Sequence, residues 1–216
     1  MVRPGQSQRA VIIPDARPDP AGWPCTDGRA TTCASGSLAF AGIARHSTQP
    51  MNSAARLLHL YISTGHNFVG RHGLAALSHP MLSKERVECR AGRGVLGDRF
   101  LDRGEAARGH ITFFAVEVHA GLMAAFGLDL EPSVYRRNVV TEGIDPGDLI
   151  GKEFQLQQVR FLGVEECRPC HWMSQVCAPG VEEYLRGRGG LRARILSDGV
   201  LRVGLARLDF PHPPSS

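Results

Sequence analysis

The sequence predicts a mainly β domain, a small strand-rich barrel with two short helices. Three features carry that expectation. Short apolar segments are punctuated by glycine, proline and asparagine, only two stretches read as helices, and the apolar alternation of Phe154 to Phe161 slips phase at Gln157-Gln158. A strand that slips phase bends, and bent strands let a small sheet close on itself.

In chain order, residues 1–50 come first and differ from the rest. Pro4, Pro14, Pro18, Pro20, Pro24 and Pro50 lie among Gly, Ser, Thr and Ala, with Ala10-Val11-Ile12-Ile13 as a short apolar run. Such a segment buries too little surface to offset its ordering entropy, so a disordered extension is expected. Met51 begins a sequence typical of a domain start, and translation from there would leave residues 1–50 unexpressed. A domain over 51–208 and a flexible tail over 209–216 complete the organisation.

Within the domain, Leu57 to Ile62 and Arg86 to Arg90 read as strands. Ile111, Phe114, Ala115, Val118, Leu122 and Ala125 recur at helical spacing ahead of Gly127, which predicts the main helix over 111–126. Asn138 to Thr141 is a short strand. Phe154 to Phe161 reads as one long strand carrying a bulge. Pro179 to Arg186 is the second helix, ended by Gly187, and Gly199 to Leu208 is the last strand.

Composition bounds the function. No run approaches the roughly 20 apolar residues of a membrane helix, and nothing at Met1-Val2-Arg3-Pro4 reads as an export signal. A cytoplasmic protein is expected. The net charge is +4, and lysine occurs only at Lys84 and Lys152. Arginine's planar fork points to anionic small molecules more than to nucleic acid. Six cysteines are too few and too scattered for a secreted disulfide scaffold.

Glu165-Glu166-Cys167-Arg168-Pro169-Cys170-His171-Trp172-Met173 is the densest cluster of reactive groups. It follows a predicted strand, so Cys170 falls on a loop where a soft sulfur can meet a metal or accept transferred sulfur. Three other readings stand beside this one: half of a structural zinc site, a thioredoxin-like redox pair, and two buried structural thiols. Gly92-x-Gly94-x-x-Gly97 matches a dinucleotide-binding pattern but lacks the helix that should follow, so a tight turn is expected, with Arg93 and Arg99 able to approach an anion. Arg136 and Arg137 sit at a strand start, where they would point to opposite faces and leave one for a cleft. Arg192 and Arg194 follow the flexible Gly189-Gly190. The loop with His66 and His72 shows no metal spacing and reads as structural.

These elements together resemble the MOSC family, domains similar to the C-terminal part of the molybdenum cofactor sulfurase. The resemblance runs over most of 57–204. It rests on Ile62-Ser63 with Gly65-His66-Asn67, Gly97-Asp98-Arg99-Phe100, Ile111-Thr112-Phe113-Phe114 with Glu117, and Arg136-Arg137-Asn138-Val139-Val140 with Gly143-Ile144-Asp145. Leu149-Ile150-Gly151, Cys167-x-Pro169-Cys170 and Gly189-Gly190-Leu191-Arg192-Ala193-Arg194 follow in order.

The resemblance implies a MOSC-type barrel that binds the molybdenum cofactor (molybdopterin), with Cys170 as catalytic residue and metal ligand. Arg136, Arg137 and Asn138 are the implied pterin contacts, and Asp98, Arg99, Arg192 and Arg194 complete the expected cofactor-binding set. It further implies reduction of a small N-hydroxylated substrate with electrons from a separate reductase. The alternative is a non-catalytic carrier that receives sulfane sulfur on Cys170 from a pyridoxal-phosphate-dependent cysteine desulfurase. Gly204-Leu205 departs from the family's frequent Gly-Asp near the last strand, and there is no ferredoxin-type cysteine spacing for a built-in electron donor.

Overall fold

The computed structural model describes residues 53–67, 77–104 and 108–211. In chain order its strands and helices are β1 (Ser53–Ile62), β2 (Leu82–Lys84), β3 (Arg86–Arg90), β4 (Gly94–Val95), β5 (Ile111–Ala115), α1 (Val116–Phe126), β6 (Val139–Glu142), β7 (Glu153–Leu156), β8 (Val159–Glu166), α2 (His171–Val176), α3 (Val181–Tyr184), β9 (Leu191–Ile195), β10 (Gly199–Arg202) and β11 (Gly204–Asp209). Two 3-10 turns span Pro132–Tyr135 and Pro146–Leu149. The expectations for residues 1–50, including their disorder and a start at Met51, lie outside the described residues, as does the tail beyond Pro211.

Seven strands close a barrel in the order β11-β7-β8-β9-β5-β6-β1, and β1 pairs back to β11 from Ser53↔Leu208 to Leu57↔Gly204. A closed sheet has no edge left to pair with another chain. Every contact in the ring is antiparallel except β5 with β6. A parallel pair needs a crossover, and α1 lies in the connection between these two strands. A separate sheet, β10-β3-β4, stands beside the ring.

β5 explains how the domain holds two cores. All five of its residues are buried. Ile111 and Phe113 face the barrel interior, where Phe113 meets Phe154 and Phe161 edge-on at 5.9 and 5.3 Å between ring centroids. Phe114 faces the other way, into a cluster with Leu122, Tyr135, Met173, Val181 and Leu185 beneath the helices. Each such fully buried side chain contributes about 1.5–3 kcal/mol. The expected helix over 111–126 is therefore corrected: its first five residues are a strand buried on both faces, and only Val116–Phe126 is helical. A two-faced apolar run mimics helical spacing.

Two further expectations change for similar local reasons. Phe154 to Phe161 is not one bulged strand but the tight hairpin β7–β8, with Leu156 opposite Val159 and Gln157 at a positive φ of 53° in the turn. The bulge lies further along β8, between Gly163 and Glu165. Gly199 to Leu208 divides at Val203 into β10 and β11, which belong to different sheets. Helices number three rather than two among the described residues, since α2 directly after Cys170 had no periodic signature of its own.

Buried polar groups lock this arrangement. Asn138 is 2 % exposed, and its Oδ1 accepts from Thr112 N at 3.1 Å and Thr112 Oγ1 at 2.9 Å. Its Nδ2 donates to the Tyr61 carbonyl at 3.1 Å, so one side chain joins β1, β5 and the start of β6.

His110 is also buried, and its Nδ1 accepts the Ile195 N–H at 3.2 Å, which leaves the proton on Nε2, an atom without a hydrogen-bond partner. Burial, and then Arg194, hold its pKa below the ordinary 6.5. The unfolded chain therefore binds a proton that the folded chain resists, and this contribution to stability is complete above pH 6.5 and declines below it. Thermal melts are expected to shift downward between about pH 7.5 and about pH 5.5. His110→Gln, which keeps an acceptor for Ile195 without titrating, should flatten part of that slope; an unchanged slope would exclude His110 as a source.

Candidate functional site

Five segments converge outside the barrel on one cleft of about 290 Å³. The loop after β1 brings His66 and Asn67, and the loop after β4 brings Arg99 and Phe100. Tyr135, Arg136 and Arg137 come from the 3-10 turn and the residues after it, Arg192 from β9, and Cys170, Trp172 and Met173 from the start of α2. Four guanidinium groups and one exposed thiol thus share a single cavity.

Each arginine is held differently. Arg136 has a positive φ of 57° as the residue after the 3-10 turn, so it does not lie in a strand as expected, and both it and Arg137 line the cleft. Arg136 donates to the His79 carbonyl at 2.6 Å, the Gly65 carbonyl at 2.8 Å and Ser63 Oγ at 2.9 Å, tying two loops together. Arg137 donates to the carbonyls of Tyr135 at 2.7 Å, Cys167 at 2.9 Å and Gly189 at 3.0 Å. Arg99 donates to the Arg136 carbonyl at 2.8 Å and pairs with Asp98 at 3.3 Å. Burial lowers Arg99 to about 10 despite Asp98, with Arg136 and Arg137 adding to the effect, so it remains charged at neutral pH. Arg192 is 31 % exposed and lies 3.6 Å from Glu165.

Asp98 and Asn138 sit behind the cleft rather than in its lining. The Asp98 side chain is fully buried and accepts from Ser63 N at 2.9 Å and Phe100 N at 3.1 Å, which organises the loop that presents Arg99. Arg194 is exposed two residues along β9 from Arg192 and is not in the lining. Arg93, expected near an anion, pairs with Asp102 at 2.6 Å in the turn. The glycine-rich turn joins β3 to β4, with no helix following it.

The two thiols of the Cys-x-x-Cys element have different surroundings. Cys167 is 3 % exposed, and its N–H donates to the Gly190 carbonyl at 2.7 Å. Cys170 is exposed, in extended backbone at φ −135° and ψ 168°, immediately before α2. Among the described residues no three His, Cys, Asp or Glu side chains cluster as metal ligands, so the pair does not form part of a four-ligand zinc site there. The cavity of about 400 Å³ lined by Asp145, Asp148, Glu166 and Arg188 holds no thiol, and its three carboxylates outweigh the one guanidinium and would disfavour an anion.

Gly189 and Gly190 explain how the cysteine loop fits. A Cβ on Gly189 would overlap the Cys167 carbonyl, and one on Gly190 would overlap the Phe113 carbonyl. Gly190 also has a positive φ of 90°, which a side chain would strain.

His66, Asn67, Phe100, Tyr135, Trp172 and Met173 join the site although none had been assigned a role in it. His66 Nε2 lies 2.7 Å from Arg103 Nη2, a donor only, so Nε2 accepts and Nδ1 carries the proton. Burial lowers the His66 pKa, followed by Arg103, Arg99 and Arg136, so the ring is neutral at pH 7. Trp172 and Met173 directly follow Cys170 in sequence, which was the available clue.

Residues 106–206 match the MOSC domain. The chain carries a MOSC domain. Its fold is similar to that of the YuaD protein from Bacillus subtilis, at TM-score 0.59 and 17% identity over 73% of this chain and 96% of that one. YiiM from Geobacillus stearothermophilus is similar at TM-score 0.54 and 15% identity, over 73% of this MOSC chain and 75% of YiiM. YiiM from Escherichia coli gives TM-score 0.51 and 13% identity, over 77% and 73% of the two chains. No curated protein matches the chain. Among the described residues no helix is long and apolar enough to cross a membrane.

Two expectations follow from the cysteine loop. In the native protein iodoacetamide should modify Cys170 well before Cys167 or Cys89, the latter pushed up to about 12 by burial. Equal labelling of Cys167 and Cys170 would contradict the geometry. Arg137→Lys replaces a three-carbonyl fork with a single ammonium, and Cys167 should then label about tenfold faster through local opening. Peptide mass spectrometry reads both.

Proposed function

We propose that this MOSC protein binds the molybdenum cofactor in the Cys170 cleft and reduces small N-hydroxylated compounds. The supporting observation is one exposed thiol on the same cavity as the guanidinium groups of Arg99, Arg136, Arg137 and Arg192. MOSC domains are associated with this cofactor. The donor set suits it: a soft thiol for the metal, cations for an anionic phosphate, and aromatic and amide side chains for a flat heterocycle.

In this reading Cys170 holds the metal. Arg192, whose side chain is 31 % exposed, and Arg99 would hold the anionic end. When bound, the cofactor would supply the two-electron chemistry that cleaves the N–O bond. The net reaction takes two electrons and two protons and converts R–NH–OH to R–NH2 and water, with electrons from a separate reductase. Trp172 and Met173 keep apolar surface next to Cys170 and limit water there. His66 lines the same cleft, and its Nδ1–H would suit hydrogen bonding with an oxygen of the substrate.

A second reading draws on the exposure of Cys170 itself. A thiol that a partner protein can reach also suits a sulfur carrier, which would hold a persulfide delivered by a pyridoxal-phosphate-dependent cysteine desulfurase.

Metal analysis after expression in a molybdopterin-competent host separates the two. The enzyme reading expects about one molybdenum per chain and a loss of about tenfold or more in Cys170→Ser with an unchanged circular dichroism spectrum, because oxygen is the harder donor. Molybdenum-free protein with a persulfide on Cys170 would favour the carrier. Undiminished molybdenum in the serine variant would remove Cys170 as the ligand.

A further inference from the structure

The reduction consumes two protons, and one of them must reach the oxygen as the N–O bond breaks. Few side chains of the cleft can give one. In the reading above Cys170 is engaged by the metal, the Tyr135 hydroxyl is buried and paired with His119 Nδ1 at 3.0 Å, and the guanidinium groups keep their protons at neutral pH. His66 remains. Its ring is held on two sides: Nε2 lies 2.7 Å from Arg103 Nη2, and the Phe100 ring meets it at 80° with 5.2 Å between centroids. Phe100 in turn carries the Arg99 and Arg103 guanidinium groups at 4.6 and 5.5 Å, and its N–H donates to the buried Asp98 carboxylate at 3.1 Å. Arg103 is exposed and lies outside the lining of the cleft that His66 joins. Nε2 is thus taken up by Arg103, while Nδ1, on another edge of the ring, has no hydrogen-bond partner among the described residues.

We propose that His66 is the proton donor of the reduction, passing its Nδ1 proton to the oxygen that leaves nitrogen, and that Arg103 is the positioning residue that fixes its tautomer. This rests on the reductase reading above. Two electrons from the reductase drive cleavage of the N–O bond. The oxygen departs with the electron pair of that bond, takes the Nδ1 proton and becomes water. Nitrogen takes the second proton from solvent, and the ring recovers its own from solvent afterwards.

The surroundings suit a donor that starts as neutral imidazole. Burial, then Arg103, Arg99 and Arg136, disfavour the imidazolium, and Asp98 opposes them more weakly. The same three cations stabilise the ring once it has lost its Nδ1 proton, for the same Coulombic reason. A neutral imidazole kept so by its environment can polarise an oxygen in this way. Arg103 acts twice, as a charge and as a donor that obliges Nε2 to accept, because which ring nitrogen carries the proton is set by the hydrogen bond at the other.

Two readouts on the full-length chain test this. In metal-free, isotope-labelled protein at neutral pH, long-range proton–nitrogen correlation spectra should show His66, identified by its loss in His66→Gln, as the Nδ1–H tautomer. Arg103→Met should turn it toward Nε2–H and raise its pKa. Loaded protein with a supplied reductase is then given acetamidoxime and its O-acetyl ester, whose acetate leaves without needing a proton. Glutamine keeps a hydrogen bond but transfers no proton, so His66→Gln should lower kcat on acetamidoxime about hundredfold with KM and molybdenum content unchanged. Most of that loss should vanish on the ester, whereas a merely structural role would impair both substrates alike. An Nε2–H tautomer in wild type, a tautomer indifferent to Arg103→Met, undiminished kcat in His66→Gln, or equal loss on the two substrates would overturn the proposal. Wild-type protein that reduces neither compound would sink the reductase reading and the donor role with it. Active wild type beside an equally active His66→Gln would remove the donor role alone.

Discussion

The site depends on the guanidinium of Arg137 bridging three backbone carbonyls, those of Tyr135, Cys167 and Gly189. These belong to three segments far apart in sequence, and joining them fixes the path of the cysteine loop over the Gly189-Gly190 turn. The approach is so close that neither glycine can carry a side chain. Charge-assisted hydrogen bonds of this kind are worth about 1.5–3 kcal/mol each, enough to hold a loop that has little regular structure. A cation in such a role is less available to a ligand, which shifts the task of anion binding toward Arg192.

Around that clamp, the fold divides labour between two cores that share β5. The barrel core gives a rigid wall, and the helix-side cluster of Phe114, Tyr135, Met173 and Val181 anchors the elements that carry the reactive groups. Met173 is buried in this cluster while Cys170, three residues earlier, is exposed. Side-chain packing thus orients α2 so that the thiol is presented and not buried. The buried Asp98–Arg99 pair performs the same service for another part of the lining, where Asp98 organises backbone and Arg99 lines the cavity.

Much of this was legible in the sequence, for identifiable reasons. The β-rich architecture followed from turn residues between short apolar runs, and Cys170 from the density of chemistry around it. Arg99, Arg136, Arg137 and Arg192 converge on one cleft, yet sequence alone does not separate arginines that clamp backbone from those that face a ligand. Asp98 and Asn138 belong to the same motifs as their neighbours but act from behind, because a short polar side chain is as useful for satisfying buried amides as for meeting a ligand. Arg194 shares the face of β9 with Arg192 but lies beyond the cleft, a matter of strand length that periodicity does not encode. β5 was misread because burial on both faces erases the alternation that identifies a strand.

Cys170 lies exposed on a cationic cleft, and the proposed function makes its sulfur a metal ligand. X-ray absorption at the molybdenum edge of the loaded protein tests it most directly by counting sulfur neighbours of the metal. Wild-type protein should show one more sulfur than the Cys170→Ser variant; equal sulfur counts in the two would contradict the account.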